Sequence, residues 1–135
     1  LIVIDSSIAI SWGMPDEKSV AANRALALAR QEDVLVPAIF WTEVRNICLV
    51  NERRGRIAIT DTTTAIKMIE GFRPQIDDRA SHEAVLNLAR EHGLSGYDAA
   101  YLALAIAEEC TLATLDKRLA RSAIVEGLSV ISEIV

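Results

Sequence analysis

The sequence is short of the features that mark several large classes of protein. It has two cysteines, three prolines, six glycines and two histidines in 135 residues. Neither Cys48 nor Cys110 has a second Cys or a His at the spacing of a metal clip. Both fall inside apolar patterns, so they are expected to be small buried hydrophobes, not disulfide partners or reactive thiols. So little Pro and Gly, with 51% hydrophobic residues, excludes a disordered chain. No apolar run reaches the ~18 residues of a membrane span. Positive charge is scarce too: 14 Lys and Arg face 19 Asp and Glu, for a net charge of −5. A protein of that balance does not bind nucleic acid with its whole surface, and any such contact has to be local.

What is present is enough apolar residue for one sizeable core, so residues 1–135 are expected to form a single domain. The chain opens on Leu1-Ile2-Val3-Ile4, too short a run for a signal peptide. The expectation is that an initiator Met has been lost and that the protein is cytoplasmic. Leu1 to Ile4 reads as a strand buried on both faces, ending at Asp5-Ser6-Ser7. Ile8 to Gly13 predicts a short helix that Met14-Pro15 breaks, and Asp16 or Ser19 starts the next. That second helix turns Val20, Ala21, Ala25, Leu26 and Leu28 inward. Asp33 to Pro37 gives the second strand. A helix from Ile39 to about Arg54 follows, then one capped by Thr60-Asp61 that runs through Ile66, Met68, Ile69 and Phe72. Arg73 to Ile76 is a weak third strand. Ser81 to His92 predicts an amphipathic helix with Ala84, Val85, Leu88 and Ala89 inward, and Gly93 as its C-cap. From Ala99 to Ala107 every residue is apolar or Tyr, so this helix must be buried all round. Thr111 to Thr114 is a further strand, Lys117 to about Val125 a helix, and Leu128 to Ile131 the last strand. Strands alternating with helices predict a parallel α/β sheet with right-handed crossovers.

Four acids stand out against this pattern. Asp5 follows the first strand, at a carboxyl end where open α/β sheets bind ligands, although Asp-Ser-Ser also suits a helix cap. Glu43 shares the apolar face of its helix with Phe40, Val44, Ile47 and Val50. A carboxylate there requires a partner, whether an Arg, a metal or water in a cleft; Arg45 points elsewhere. Asp98 lies in the first turn of the buried helix, where Ser95-x-x-Asp98 also fits a capping box. Asp116 follows the strand ending at Thr114 and also suits a cap for the helix that starts at Lys117. Each acid has an innocent explanation. Their joint placement does not.

Ile-Asp-Ser-Ser near the start, Thr42-Glu43, Ser-Gly-Tyr-Asp-Ala-Ala-Tyr-Leu-Ala-Leu-Ala and Thr-Leu-Ala-Thr-Leu-Asp-Lys-Arg-Leu together resemble the PIN domain. More narrowly, the chain resembles VapC-type toxins of toxin–antitoxin pairs, in order and over essentially its whole length. The resemblance implies a five-stranded parallel sheet in the order 3-2-1-4-5 and a Mg²⁺- or Mn²⁺-dependent endoribonuclease. It implies Asp5, Glu43, Asp98 and Asp116 as the catalytic quartet, with Ser6 and Thr114 as supporting hydroxyls. No fifth acid is implied, since Leu119 is apolar. A homodimer and a cognate antitoxin whose tail covers the active site are implied as partners.

Carboxylates without His or Cys select a hard ion. On this reading Asp5 and Asp98 hold the first ion, directly or through water, and Asp116 holds a second ion or the water network. Glu43 orients the attacking water or bridges metals. Neither His82 nor His92, on a solvated helix, is expected to be a catalytic base. Local RNA contacts are assigned to Arg53, Arg54 and Arg56 and to Lys117, Arg118 and Arg121, against a plain reading of both groups as solvated surface charge. Two rivals come from other classes. A receiver-type phosphoacceptor domain needs an acidic pair after strand one and an acceptor Asp after strand three, and Asp5 is followed by Ser. A catalytically weak PIN-fold binding module would have no reason to keep four costly carboxylates.

Overall fold

The computed structural model describes residues 1–14 and 19–134. Its elements run β1 (Ile2–Ile4), α1 (Ser6–Gly13), α2 (Val20–Ala29), β2 (Val34–Val36), α3 (Phe40–Arg53) and α4 (Ile59–Gly71). They continue with β3 (Gln75–Ile76), α5 (His82–His92), α6 (Gly96–Glu108), β4 (Thr111–Ala113), α7 (Lys117–Val125) and β5 (Val130–Ile131). The five strands form one sheet in the order β3-β2-β1-β4-β5, with every pairing parallel. This is the order and the α/β class that the resemblance implied.

Side chains along a strand alternate between the two faces of its sheet. Ile2, Val3 and Ile4 are all fully buried, so helices cover β1 on both sides. α2 and α6 both pack against β1 and β4. Ile2, Val3 and Ile4 pair with Thr111, Leu112 and Ala113 of β4, while β2 flanks β1 on its other edge. The chain steps outward from β1 to β2 and β3, then returns to the opposite edge for β4 and β5. The reversal falls between β1 and β4, which is where open sheets of this kind bind ligands.

α6 is largely buried, with Ala99, Tyr101, Leu102, Ala103, Leu104 and Ala105 inside, but not all round as its composition predicts: Ala100 and Ile106 are half-buried and Ala107 is exposed. Full burial of a side chain the size of Leu contributes about 1.5–3 kcal/mol. Ser95 caps the helix, accepting from the Asp98 N–H at 3.0 Å. Gly93 ends α5 at φ +64°, as predicted. Trp12 sits in the core, its Nε1 donating to the Ala22 carbonyl at 2.8 Å.

Elsewhere the pattern reading needs correction. Val20 is 70% exposed, and Ala22 takes its place on the buried side of α2. The alternative start of that helix at Asp16 lies outside the described residues. α4 begins two residues earlier than Thr60-Asp61 suggests. Ala58 is its cap, and the Asp61 carboxylate reaches back to the Ala58 N–H at 2.8 Å. Ala84 is exposed, and α5 contributes only half-buried Val85, Leu88 and Ala89. Both cysteines are free thiols, but Cys110 is only half-buried.

One glycine is fixed by space. A Cβ on Gly13 would lie 2.5 Å from the Ala65 Cβ and 2.7 Å from its Cα, so α1 and α4 touch backbone to backbone here. Gly13→Ala is expected to lower unfolding free energy by about 1–3 kcal/mol in urea melts. Adding Ala65→Gly should recover only part of that loss, because the new methyl group would still press on the α4 backbone.

Candidate active site

The four acids share one local feature. Asp5 is the N-cap of α1 and Asp116 the N-cap of α7, while Glu43 and Asp98 lie in the first turns of α3 and α6. The N-terminus of a helix carries free N–H groups and the positive end of the macrodipole, each stabilising a nearby anion by about 0.3–1 kcal/mol. The caps are real: the Ile8 N–H donates to Asp5 Oδ1 at 3.1 Å, and the Leu119 N–H to Asp116 Oδ1 at 2.9 Å. The innocent reading and the functional reading of these two residues therefore hold together.

Asp5 is the most buried of the four, 5% exposed. Its backbone N–H donates to the Ala113 carbonyl at 3.2 Å, continuing the β1–β4 ladder past the strand end. Ser7 Oγ donates to Asp5 Oδ1 at 2.6 Å and accepts from the Leu115 N–H at 3.1 Å. Thr114 Oγ1 donates to Asp5 Oδ2 and accepts from the Asp116 N–H at 2.9 Å. Two hydroxyls thus tie the end of β1 to the loop after β4. Burial pushes the Asp5 carboxyl up to about 6, against the pull of the Ser7, Thr114 and Ile8 donors, and the charge of Asp98 adds to the rise.

Asp98 is half-buried. Its carboxyl is also raised, first by burial and then by the charges of Asp116 and Glu43, with the Ser95 hydroxyl opposing. The four acids lie within reach of one another's charge: Asp5 feels Asp98, and Asp98 feels both Asp116 and Glu43. Asp116 is exposed at its edge. Glu43 finds its required partner in Tyr101, whose hydroxyl donates to Oε1 at 2.6 Å.

Among the described residues, no cationic side chain forms an ion pair with this group. The ion pairs among the described residues join the Leu1 amine to Glu32, Arg79 to Asp77 and Glu108, and His92 to Glu126. None involves the quartet. Among the described residues, only Glu91, His92 and Glu126 bring three potential ligand atoms within 4.8 Å of one another. The four acids therefore do not bring three ligand atoms that close together. That spacing and its all-oxygen chemistry fit a hydrated hard cation such as Mg²⁺, which keeps several waters and takes one or two carboxylates.

The basic residues separate by position. Lys117, Arg118 and Arg121 are exposed on α7 directly after Asp116, and Arg118 Nη1 donates to the Gly93 carbonyl at 3.1 Å. Arg53 lies at the other end of α3 from Glu43, roughly 15 Å along the axis, with Arg54 and Arg56 beyond it. His82 is exposed, but His92 is not solvated as predicted. Its ring is 9% exposed and pairs with Glu126 at 2.8 Å, joining the ends of α5 and α7.

The PIN domain family model matches residues 2–125. The chain belongs to the PIN domain family. Ribonuclease VapC3 of Pyrobaculum aerophilum is 31% identical to this PIN domain over 122 residues, covering 88% of this chain and 92% of that protein. The crystal structure of PAE2754 from the same organism has the same fold, with a TM-score of 0.71 at 21% identity. That match covers 96% of this chain and 90% of the other.

Sequence reasoning missed two residues of the PIN domain's acidic site. The Asp-Ser-Ser run offers two hydroxyls, and Ser7 is the one that meets Asp5, while Ser6 lies beside the Tyr101 hydroxyl. Tyr101 carried a signal of its own: a Tyr in an Ala- and Leu-rich buried helix needs a partner for its O–H.

The raised Asp5 carboxyl has a consequence for metal-free protein. Burial favours the protonated form in the folded state, so folded protein binds more protons than unfolded between the ordinary value of 3.8 and about 6. The stability that this protonation contributes is complete below pH ~4 and is lost as pH rises through about 6, a change of about 3 kcal/mol. Asp5→Asn keeps a capping acceptor without the charge. In EDTA it should gain stability relative to the parent chain on going from pH 4 to pH 8, as read by denaturant melts.

Proposed function

We propose that this PIN domain is a divalent-metal-dependent endoribonuclease, acting in the cytoplasm as the toxin of a toxin–antitoxin pair. The observation that carries the reading is four carboxylates within reach of one another's charge near the β1–β4 reversal, with no ion pair to any of them among the described residues. Its likeness over most of its length to a protein named a ribonuclease supports the same chemistry. A homodimer and a cognate antitoxin are the partners that this reading carries with it.

Asp5, Asp98 and Asp116 would hold Mg²⁺ or Mn²⁺. Once bound, such an ion lowers the pKa of a coordinated water and offsets negative charge on a phosphodiester. The chain's own residues do the rest. Ser7, Thr114 and the Ile8 N–H lock the Asp5 side chain, so its oxygens are placed before RNA arrives. Glu43, one oxygen fixed by Tyr101, orients the attacking water with the other. The helix N-termini behind the acids favour the phosphate anion as well as the carboxylates. Lys117 and Arg121, one turn apart on α7 and next to Asp116, are assigned to the RNA backbone. Arg118 stands between them, and Arg53, Arg54 and Arg56 form a more distant second patch.

Purified protein should cleave RNA with Mg²⁺ or Mn²⁺ and stop in EDTA. Asp5→Asn and Asp98→Asn should each lower the rate by about 100-fold. Cleavage that survives EDTA would refute the mechanism, and RNA binding without cleavage of any RNA would mark the chain as a binding module. Substitution of Lys117 and Arg121 by Ala should weaken RNA binding and reduce its salt dependence by about one ion per residue. The corresponding Arg53→Ala and Arg54→Ala chain should retain more of its affinity, as measured by titration over a salt series.

A further inference from the structure

Tyr101 is the largest fully buried side chain among the described residues, 1% exposed, yet its hydroxyl reaches one of the four acids. It donates to Glu43 Oε1 at 2.6 Å, across from α6 to α3. The Ser6 hydroxyl lies beside it, and the field of Asp5 reaches it. On α6 it stands three residues after Asp98, hence on the same side of the helix. One buried helix therefore carries both an acid of the quartet and the only hydroxyl hydrogen-bonded to Glu43 among the described residues.

We propose that Tyr101 is a positioning residue that clamps Glu43 relative to Asp98, and so sets the spacing of the oxygens that would hold a metal. This rests on the metal-dependent reading of the site. The physical need is clear. Asp98 is under the charge of Glu43, and a Glu side chain has three rotatable bonds with which to swing away from a like charge. A Tyr has two, and this one is fully buried on a helix that packs against β1 and β4, so its hydroxyl is a rigid point. Hydrogen bonding through Oε1 leaves Oε2 without a hydrogen-bond partner among the described residues, with the carboxylate plane held by its other oxygen. The clamp acts through Glu43 alone, and Tyr101 itself touches neither metal nor RNA.

The test is Tyr101→Phe, which removes one oxygen and keeps the ring in the core. Circular dichroism and a cooperative melt check the fold. Mn²⁺ affinity by calorimetry, in the absence of RNA, should weaken by about tenfold, and kcat should fall by a similar factor with KM for RNA unchanged. In a Glu43→Ala background, Tyr101→Phe should cause no further loss of Mn²⁺ affinity, because the group that it positions is gone. Two results overturn the clamp: affinity and kcat within twofold of the parent chain, or an equal loss of affinity with and without Glu43. A parent chain that neither binds Mn²⁺ nor cleaves RNA overturns the metal reading itself, and the clamp falls with it. If Tyr101→Phe does not fold, Glu43→Gln carries the test. It keeps an acceptor for Tyr101, and should retain more Mn²⁺ affinity than Glu43→Ala; equal loss in the two overturns the clamp.

Discussion

Four acids stand within reach of one another's charge with no ion pair to any of them among the described residues, and the rest of the architecture serves that constraint. Every acid stands at the start of a helix, so four sets of free N–H groups are aimed at one region. The parallel alignment of β1 with β4 brings two of those starts together, since Ile4 opposite Ala113 leaves Asp5 beside Thr114. The other two arrive from α3 and α6. A sheet whose strand order reverses between its first and fourth strands is what allows helices from both halves of the chain to begin at one place.

The helix dipoles reduce the cost of this assembly without removing it. Burial still raises the Asp5 carboxyl, and the neighbouring charges still raise Asp98. A site left in that condition by its own side chains is short of positive charge, and a hard divalent cation supplies it with the ligand chemistry that oxygen donors prefer. On the metal-dependent reading, scaffold and ion would be complementary. The chain fixes where the oxygens are, and an ion held there would make their closeness favourable.

Much of this was legible in the sequence because the strong signals are local. Ile2 to Ile4 and Ala99 to Ala105 are so apolar that largely buried elements accommodate them, although Leu1 and Ala107 at the ends of the two runs are exposed, and Asp116 marked the start of the helix from Lys117. Glu43 could be singled out by its neighbours Phe40 and Val44, both buried. What was not legible depends on interactions between distant parts of the chain. The partner of Glu43 is 58 residues away on α6, and the pairing of His92 with Glu126 spans 34. Small-residue helices misled for a different reason. Ala84 is exposed and Ala22 buried, because alanine carries too little apolar surface to decide which way a helix turns.

The close approach of Gly13 to Ala65 bears on more than packing. Asp5 caps one end of α1 and Gly13 closes the other, so this helix of about 12 Å behaves as a strut seated at both ends. Bulk introduced at the far seat must be absorbed either by α4 giving way or by the strut tilting, and a tilt would carry Ser7 and the Ile8 N–H away from the carboxylate that they hold. Geometry at the site is in that sense inherited from a helix–helix junction that touches no substrate.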